Sequence, residues 1–393
     1  MPLRRVFQIF NGGTPTSNER NWNGELAWAT PADLSTAHGK VLHSTARAIT
    51  RAGLAEGSQS VPANSLILAT RAPIGYVCET GSRMAFNQGC RGLVPHRDVD
   101  SRFFRYQLSV MAEQFQALGQ GSTFMELRAE ALAATLVAVP TLPEQRTIAG
   151  YLDTETARID VLISKKRHLI KLLAEYRTAL ITQTVTRGLD PTVPHRPSGI
   201  DWLGDIPSHW QVRRLRKVCE FAYGDSLPSE SRLEGKVPVF GSNGVVGHHN
   251  EANTLAPVIV IGRKGSHGEV NFHDASVFAI DTTYFVDARH TSVDLRWLYF
   301  GLLCVDLADE SMDSAVPGLS REHAYGKCLP VPPIAEQREI ADYLDIETTR
   351  IDALVSRIRS AIMLLEEYRS ALITAAVTGE FDVPNRDTSV EEQ

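Results

Sequence analysis

The chain has 393 residues, 43% of them hydrophobic and 22% charged, which excludes a disordered or fibrous polypeptide and suits two domains of ordinary size. No apolar run approaches the ~18 residues of a membrane helix, and an Asn-Gly-Gly turn at Asn11 stands where a signal peptide would be apolar, so a soluble cytoplasmic protein is expected. The net charge of −6 excludes a protein that coats DNA by charge alone, and five cysteines without a CxxC pair read as reduced thiols, not a zinc site or disulfide framework.

A first variable region, residues 1–142, opens on LRRV at Leu3. The β-branched run at 65–70 predicts a strand, and RFFRYQLSVMAEQF from Arg102 predicts a helix late in the region. Residues 143–187 predict a long helix, with Pro143 tolerated in the first turn and Glu144 in the electropositive end behind it. Ile159, Leu162, Ile163, Ile170, Leu173, Tyr176, Leu180 and Ile181 recur at three- and four-residue steps, and Gly188 and Pro191 stop the pattern. Residues 188–210, rich in Pro and Gly, have the composition of a crossing linker.

A second variable region, residues 211–333, carries an echo of the first, LRKV at Leu215. It predicts strands at 257–265 and 276–287 and a helix from Asp294. Residues 334–379 then repeat the first helical block at a constant offset of 192: EQRTIAGYLDTETARIDVLIS at Glu144 returns as EQREIADYLDIETTRIDALVS at Glu336, and LLAEYRTALITQTVT at Leu172 as LLEEYRSALITAAVT at Leu364. This is a duplication of whole domains. Two near-identical apolar stripes in one chain most simply bury each other as an antiparallel coiled-coil-like pair. The expected fold class is therefore α+β, with two domains of mixed strands and helices separated by two long, paired antiparallel helices in a pseudo-two-fold tandem repeat. An acidic tail, residues 380–393, holds Glu380, Asp382, Asp387, Glu391 and Glu392 against Arg386, which leaves the remainder near neutral and able to carry basic faces.

Further motifs stand in order along the chain. The first region contains NGGTP (Asn11), LATRAPIGYV (Leu68), FNQGCRGLVP (Phe86) and GSTFMEL (Gly121); the second contains VFGSNGVVGHHNE (Val239), IGRKGSHGEVNF (Ile261), AIDTTYFV (Ala279) and SAVPGLSRE (Ser314). With the repeated EQRxIAxYLDxETxRID block and its LPEQ and PPIAEQ lead-ins, the chain resembles the specificity subunits of type I restriction–modification systems. The resemblance implies a subunit that is non-catalytic by itself and reads a bipartite target in double-stranded DNA, one half-site per recognition domain. Its paired helices would set the gap and dock two methyltransferase subunits, and restriction (endonuclease/translocase) subunits would complete the complex. Adenine methylation and ATP-dependent cleavage, with S-adenosylmethionine, ATP and Mg, are then expected on the partner subunits; no membrane is involved. The second half opens with GDIPSHWQVRRLRKV at Gly204, as such recognition domains do, while the first begins directly at LRRV, so its start is expected to be shortened.

Base recognition needs Arg or Lys against guanine, Asn or Gln against adenine, or small polar groups. The candidates lie in loops marked by Gly or Pro: Thr14, Arg71, Asn87, Gln88, Ser122 and Thr123 in the first domain, and Ser242, Asn243, Arg263, Lys264, His267, Thr282, Thr283 and Arg321 in the second. Each polar residue could equally serve a turn or cap. The repeated Asp153, Arg158, Asp160 and Tyr176, with Asp345, Arg350, Asp352 and Tyr368, read as residues of helix pairing and partner docking.

Two other classes stay open at this point. One is a coiled-coil interaction scaffold with two protein-binding domains. The other is a stand-alone nuclease built on Asp225, Glu234 and Lys236, although Leu227-Pro228 interrupts the strand that chemistry would want. GSNGVVG and IGRKGS lack the spacing of nucleotide-binding loops, and adjacent His248 and His249 do not face one metal.

Overall fold

The computed structural model describes residues 1–120, 125–308 and 318–383. The chain forms two compact units: Met1–Lys166 with Ser360–Gln393, and Arg167–Arg359. The two predicted long helices are present as Leu142–Arg187 and Ile334–Thr378. Each is shared, so the division between units falls inside the helices and not at residues 188–210.

In the first unit a mixed sheet runs in the order Phe7–Asn11, Cys90–Pro95, Leu66–Ala69, Val77–Thr80, Val41–Leu42. Leu66–Ala69 is buried along its whole length, as an apolar run covered on both faces should be. A second sheet orders Ala48–Ile49, Trp22–Ala29, Met84–Phe86 and Gln59–Val61. Ile67, Cys78, Met84, Phe86 and Cys90 share one core. Burial pushes the Cys78 thiol up to about 12 and the Cys90 thiol higher still, and all five cysteines are free. Two short helices, Pro31–Thr36 and Arg51–Gly57, come earlier than the strands-first order expected; Thr30 and Thr50 cap them by accepting from Asp33 N and Gly53 N.

The second unit repeats this plan. Ala222–Tyr223, Thr283–Asp287, Val258–Gly262 and Val270–His273 form one antiparallel sheet, and Val237–Gly241 pairs antiparallel with Gly244–His249 and parallel with Phe278–Ala279. The parallel contact between Trp22–Ala29 and Met84–Phe86 is its counterpart in the first unit. Residues 188–210 do more than connect. His195–Pro197 pairs with Asp205–Pro207, and Leu203, Ile206 and Trp210 are buried with Ile181, Val185 and Ile340. The prolines and glycines mask that apolar pattern in the sequence.

Matching polar clamps tie each α+β domain to its long helix. In the first unit Asp100 caps the helix Ser101–Val110, and buried Gln145 accepts from Asp100 N (2.9 Å) while donating to Pro140 O (2.9 Å). In the second, Asp294 caps Leu295–Cys304, and buried Gln337 accepts from Asp294 N (2.8 Å) and donates to Pro332 O (2.8 Å). Asp153 accepts from Arg105 Nη2 (2.6 Å), Tyr106 Oη (2.8 Å) and Arg102 Nη1 (3.3 Å); its twin Asp345 accepts from Arg296 Nη1 (3.0 Å). Arg105 reaches buried Glu79 with its other nitrogen (3.0 Å).

The long helices meet through twin ion pairs. Asp160 faces Arg369 Nε (3.3 Å) and Lys40 Nζ (2.8 Å) in the first unit, and Arg177 Nε faces Asp352 (3.6 Å) in the second. Within the first unit Tyr151, ahead of Asp160, lies against the Phe381 ring (5.8 Å between centres), beyond Arg369, so the segments there run antiparallel. Ile159, Ile163 and Ile181 are buried as expected, but Leu162 and Tyr176 are 44% and 56% exposed. At about 100° per residue they lie roughly 60–100° round the helix from Ile159, off the buried stripe. Of the acidic tail, residues 384–393 lie outside the described residues.

Arg105 is 5% exposed and Arg296 is 37% exposed. Asp153→Ala, which removes one of the two carboxylates paired with a buried guanidinium, should destabilise the chain by roughly 2–3 kcal/mol. Asp345→Ala should cost about 1 kcal/mol or less. Urea titration of both variants checks this; equal losses would mean the two clamps bear equal load. In the second unit Asp287 is fully buried. Burial pushes its carboxyl up, but hydrogen bonds from Arg289 and Leu255 N more than offset this and hold it at about 2, against an ordinary 3.8. A depressed carboxyl contributes stability above its unfolded pKa and loses it as pH falls through the folded value. Acid unfolding should therefore steepen between 3.8 and about 2, and Asp287→Asn should flatten that window in far-UV circular dichroism.

Candidate nucleic-acid interface

Both units present their candidate residues on one backbone scaffold. In the first, the strand Leu66–Ala69 runs into a turn closed by Gly75 N to Ala69 O (2.8 Å). Thr70 N and Arg71 N donate to Gly89 O (2.8 and 3.3 Å), and Leu127 N donates to Thr70 O (2.8 Å). In the second, Gly268 N closes on Gly262 O (2.9 Å). Arg263 N and Lys264 N donate to Thr282 O (2.9 and 3.2 Å), and Leu319 N donates to Arg263 O (2.8 Å). Corresponding groups stand 192 or 193 residues apart. Isolated bridges join Arg71 to Glu126 and Lys264 to Gly318 at equivalent places.

A further loop follows Phe7–Asn11 in the first unit and Ala222–Tyr223 in the second. Gly12 N donates to Cys90 O (3.3 Å) and Gly224 N to Thr283 O (3.2 Å). A Cβ at Gly12 would fall 1.8 Å from Asn87 O, and one at Gly224 would fall 2.1 Å from Ile280 O. Close approach of two loop backbones is thus what requires glycine in the Asn-Gly-Gly turn.

The side chains on this shared scaffold differ. In the first unit Arg71, Gln88 and Thr14 are exposed, and the Thr14 hydroxyl donates to Gln88 Oε1. Arg71 Nη2 lies 3.3 Å from Glu126 Oε2, and Arg91 Nη2 lies 3.9 Å from Glu126 Oε1. Asn87 is half-buried, and its Oδ1 accepts from Gly89 N (2.9 Å), so this side chain shapes the turn. Ser122 and Thr123 lie outside the described residues.

In the second unit the Arg263 guanidinium lies 4.9 Å from the Tyr223 ring centre and 5.7 Å from that of Tyr284, with Nη1 donating to Asp281 O (3.1 Å). Arg321, at the start of the helix Arg321–Gly326, lies 4.9 Å from the same Tyr223 ring and 5.9 Å from Tyr325. Tyr223 therefore receives two cations, and contacts of this kind hold guanidinium planes without consuming their donors. Burial, then neighbouring Tyr223, pushes the Tyr284 phenol up, so it remains a neutral donor to Leu319 O (3.2 Å). Lys264 is exposed, and half-buried His267 contacts Gly265 O through Nδ1 (3.1 Å). Ser242 and Asn243 form the turn between Val237–Gly241 and Gly244–His249. Cβ positions at Gly265 and Gly241 would lie 3.6 Å from Ser242 Oγ and from Thr282 Oγ1, which brings Ser242 and Thr282 to the Arg263 loop.

Thr283 departs from the expectation. It is fully buried and its hydroxyl donates to Ile280 O (2.8 Å), so it braces the loop from beneath and offers nothing at the surface. Sequence reasoning missed Tyr223, Tyr284, Tyr325, Arg91 and Glu126. Aromatics interleaved with LRRV-like cations were the available signal for the tyrosines, but their stacking partners are distant in sequence.

The repeated helix residues separate by role. Asp160 and Asp352 join helix to helix, and Asp153 and Asp345 hold the α+β domain to its helix. Arg158 and Arg350 pair within their own helices with Glu155 (3.6 Å) and Glu347. Tyr176 and Tyr368 are 56% and 55% exposed, beside the twin exposed leucines Leu172 and Leu364. Asp225 accepts from Asn253 Nδ2 (2.9 Å), and among the described residues no group of three or more His, Cys, Asp or Glu side chains converges on a metal position. No helix among them is long and apolar enough to cross a membrane.

Comparison with known proteins also finds a repeated pair of regions. The family described as "Type I restriction modification DNA specificity domain" matches residues 1–172 and 207–362. The type I restriction enzyme EcoprrI specificity subunit of Escherichia coli is 24% identical over 376 residues, covering 92% of this chain and 90% of that protein. The MjaIX specificity subunit of Methanocaldococcus jannaschii is 28% identical over 231 residues, 58% of this chain; the match spans 52% of that relative's length. Among solved structures, a chain from work on complex assembly and conformational transition of the type I R-M system aligns with a TM-score of 0.69 at 18% identity, covering 97% of each chain. The HsdS subunit of Thermoanaerobacter tengcongensis aligns at 0.51 and 19% identity, covering 97% of this chain and 96% of that one. These likenesses show the fold, and the family match shows that the chain belongs to the type I restriction–modification DNA specificity family.

Proposed function

We propose that this chain is the sequence-reading, non-catalytic subunit of a cytoplasmic type I restriction–modification complex, and that each unit reads one half of a bipartite, non-palindromic site in double-stranded DNA. One observation carries the reading: two loop scaffolds with corresponding backbone hydrogen bonds bear different exposed side chains. A common scaffold gives both readers the same approach to a duplex, and different side chains give them different bases. The first unit offers Thr14, Arg71 and Gln88; the second offers Ser242, Asn243, Arg263, Lys264, His267, Thr282 and Arg321. The exposed Tyr176 and Tyr368, each with its leucine, supply matching apolar patches for two methyltransferase subunits. Those partners and the restriction subunits would bring S-adenosylmethionine, ATP and Mg. A mildly acidic chain relying on partners for the rest of its grip on DNA agrees with this, since phosphate contacts alone would leave it weak and salt-sensitive. A protein-binding scaffold is less well supported, because nothing in that role calls for two divergent sets of Gly-flanked cations.

Co-expression with the cognate methyltransferase subunit in a methylation-free host, followed by genome-wide mapping of modified adenines, tests the proposal. A bipartite motif with a fixed gap is the expected result, and a chain that supports no methylation would overturn it. Arg263→Ala should relax or abolish recognition in one half-site only, with a discrimination loss of about 1–3 kcal/mol. Equal damage to both halves in a folded variant would instead mean phosphate anchoring. The long helices would act as a ruler. Inserting one turn (about four residues, ~6 Å) after Leu173 and after Ser356, which face each other in the register of the Arg177–Asp352 pair, should widen the gap by one or two base pairs. An active variant with an unchanged gap would sink the ruler.

A further inference from the structure

We infer that Arg71 and Glu126 together read a single G·C base pair, with Glu126 accepting from the exocyclic amine of cytosine and Arg71 donating to guanine. The inference deepens the proposed reading of DNA and rests on it.

Glu126 is not required by the scaffold. Its counterpart is Gly318, where the same kind of backbone bridge forms to Lys264 as Glu126 forms to Arg71. Nor does stability account for it. Arg71 and Glu126 side chains are 48% and 32% exposed, and exposed ion pairs contribute little. On a surface that approaches a polyanion, a carboxylate opposes every phosphate near it. It becomes favourable only against a hydrogen-bond donor, and in the major groove the bases that donate are cytosine through N4 and adenine through N6.

The surroundings select between these two. Glu126 is held from behind by Arg91 (3.9 Å), whose side chain is 13% exposed and whose Nη1 is already committed to Gln88 O and Cys90 O, both at 3.1 Å. Its backbone is fixed by reciprocal bonds with Gln120 (3.0 Å each). Arg71 Nη2 lies 3.3 Å from Glu126 Oε2, so the exposed tip presents cationic donors and an anionic acceptor side by side. A G·C pair presents the complement: acceptors N7 and O6 on guanine beside the N4 donor of cytosine. An A·T pair matches this array less well, because it replaces the guanine acceptor next to the purine N7 with a donor. The second unit has no carboxylate at this position, so its reader should not share the preference there.

The test uses the chain with its methyltransferase subunit, mapping modified adenines for the unaltered protein and for Glu126→Gln, Glu126→Ala and Arg71→Ala. Arg263→Ala marks the half-site of the other unit. The expected result is a G·C pair in the remaining half-site whose discrimination falls about tenfold or more in all three variants, with the other half-site and the gap unchanged. An unchanged motif in the Glu126 variants, relaxation at an A·T pair, or a change in the half-site that Arg263→Ala alters would each overturn the inference. Should a variant abolish methylation, binding of the assembled complex to duplexes carrying each of the four base pairs at that position decides the matter. Loss of preference supports the inference, and uniformly weaker binding with preference retained overturns it. Failure of the unaltered chain to yield any bipartite motif would instead overturn the broader reading.

Discussion

Gln145 and Gln337, each almost wholly buried, hold two backbone groups at once: the cap of a recognition-domain helix and the carbonyl that leads into a long helix. A buried amide left without partners costs much of its desolvation energy. Each glutamine is therefore satisfied only when the domain helix and the long helix meet in one arrangement. Asp153 and Asp345, about two turns further along, fasten the same domain helices a second time. Two attachment points on one helix remove rotation as well as translation. Within each unit the loops that carry the candidate residues inherit a defined position on the long helix.

This arrangement explains why the helical blocks repeat nearly word for word while the recognition domains do not. The clamps and the twin ion pairs of Asp160 with Arg369 and Arg177 with Asp352 are made by side chains, so their identities must persist. The loop scaffold is made by backbone groups, which any residue supplies. The scaffold dictates a residue at few places: where loops touch, at Gly12 and Gly224, and where a side chain braces a turn, at Asn87 and Thr283. The exposed side chains on these loops are thus free to differ without disturbing the frame that carries them.

That division also sets what the sequence could reveal. The two long helices were legible almost to the residue, because an apolar stripe and a constant offset are local signals. The strands at Leu66–Ala69, Val258–Gly262 and Thr283–Asp287 were legible as β-branched runs. The roles of Asp153 and Asp345 were not, since ion pairs with a helix some fifty residues upstream leave no mark in a helical period. Arg71, Arg263 and Arg321 stood out as cations among glycines, but Tyr223 entered only when folding stacked it on two of them. Thr283 looked like its neighbour Thr282, but it opens the strand Thr283–Asp287, which is buried along its whole length, while Thr282 stays in the turn before it. Glu126 lay within the GSTFMEL motif but did not stand out there, because a carboxylate runs against the charge expected of a surface that meets DNA.

The charge balance follows from the same economy. On the reading proposed here, a strongly basic face would bind any duplex through counterion release and bury discrimination under non-specific affinity. With a net charge of −6, the chain relies on few cations, and these are held in place: Arg263 by Tyr223 and the carbonyl of Asp281, Arg321 by Tyr223 and Tyr325, Arg71 by Glu126. A guanidinium already fixed in its plane loses less side-chain entropy when it meets a base edge. More of each contact is then available for telling one base pair from another, and general attraction to the duplex is left to whatever partners join the complex.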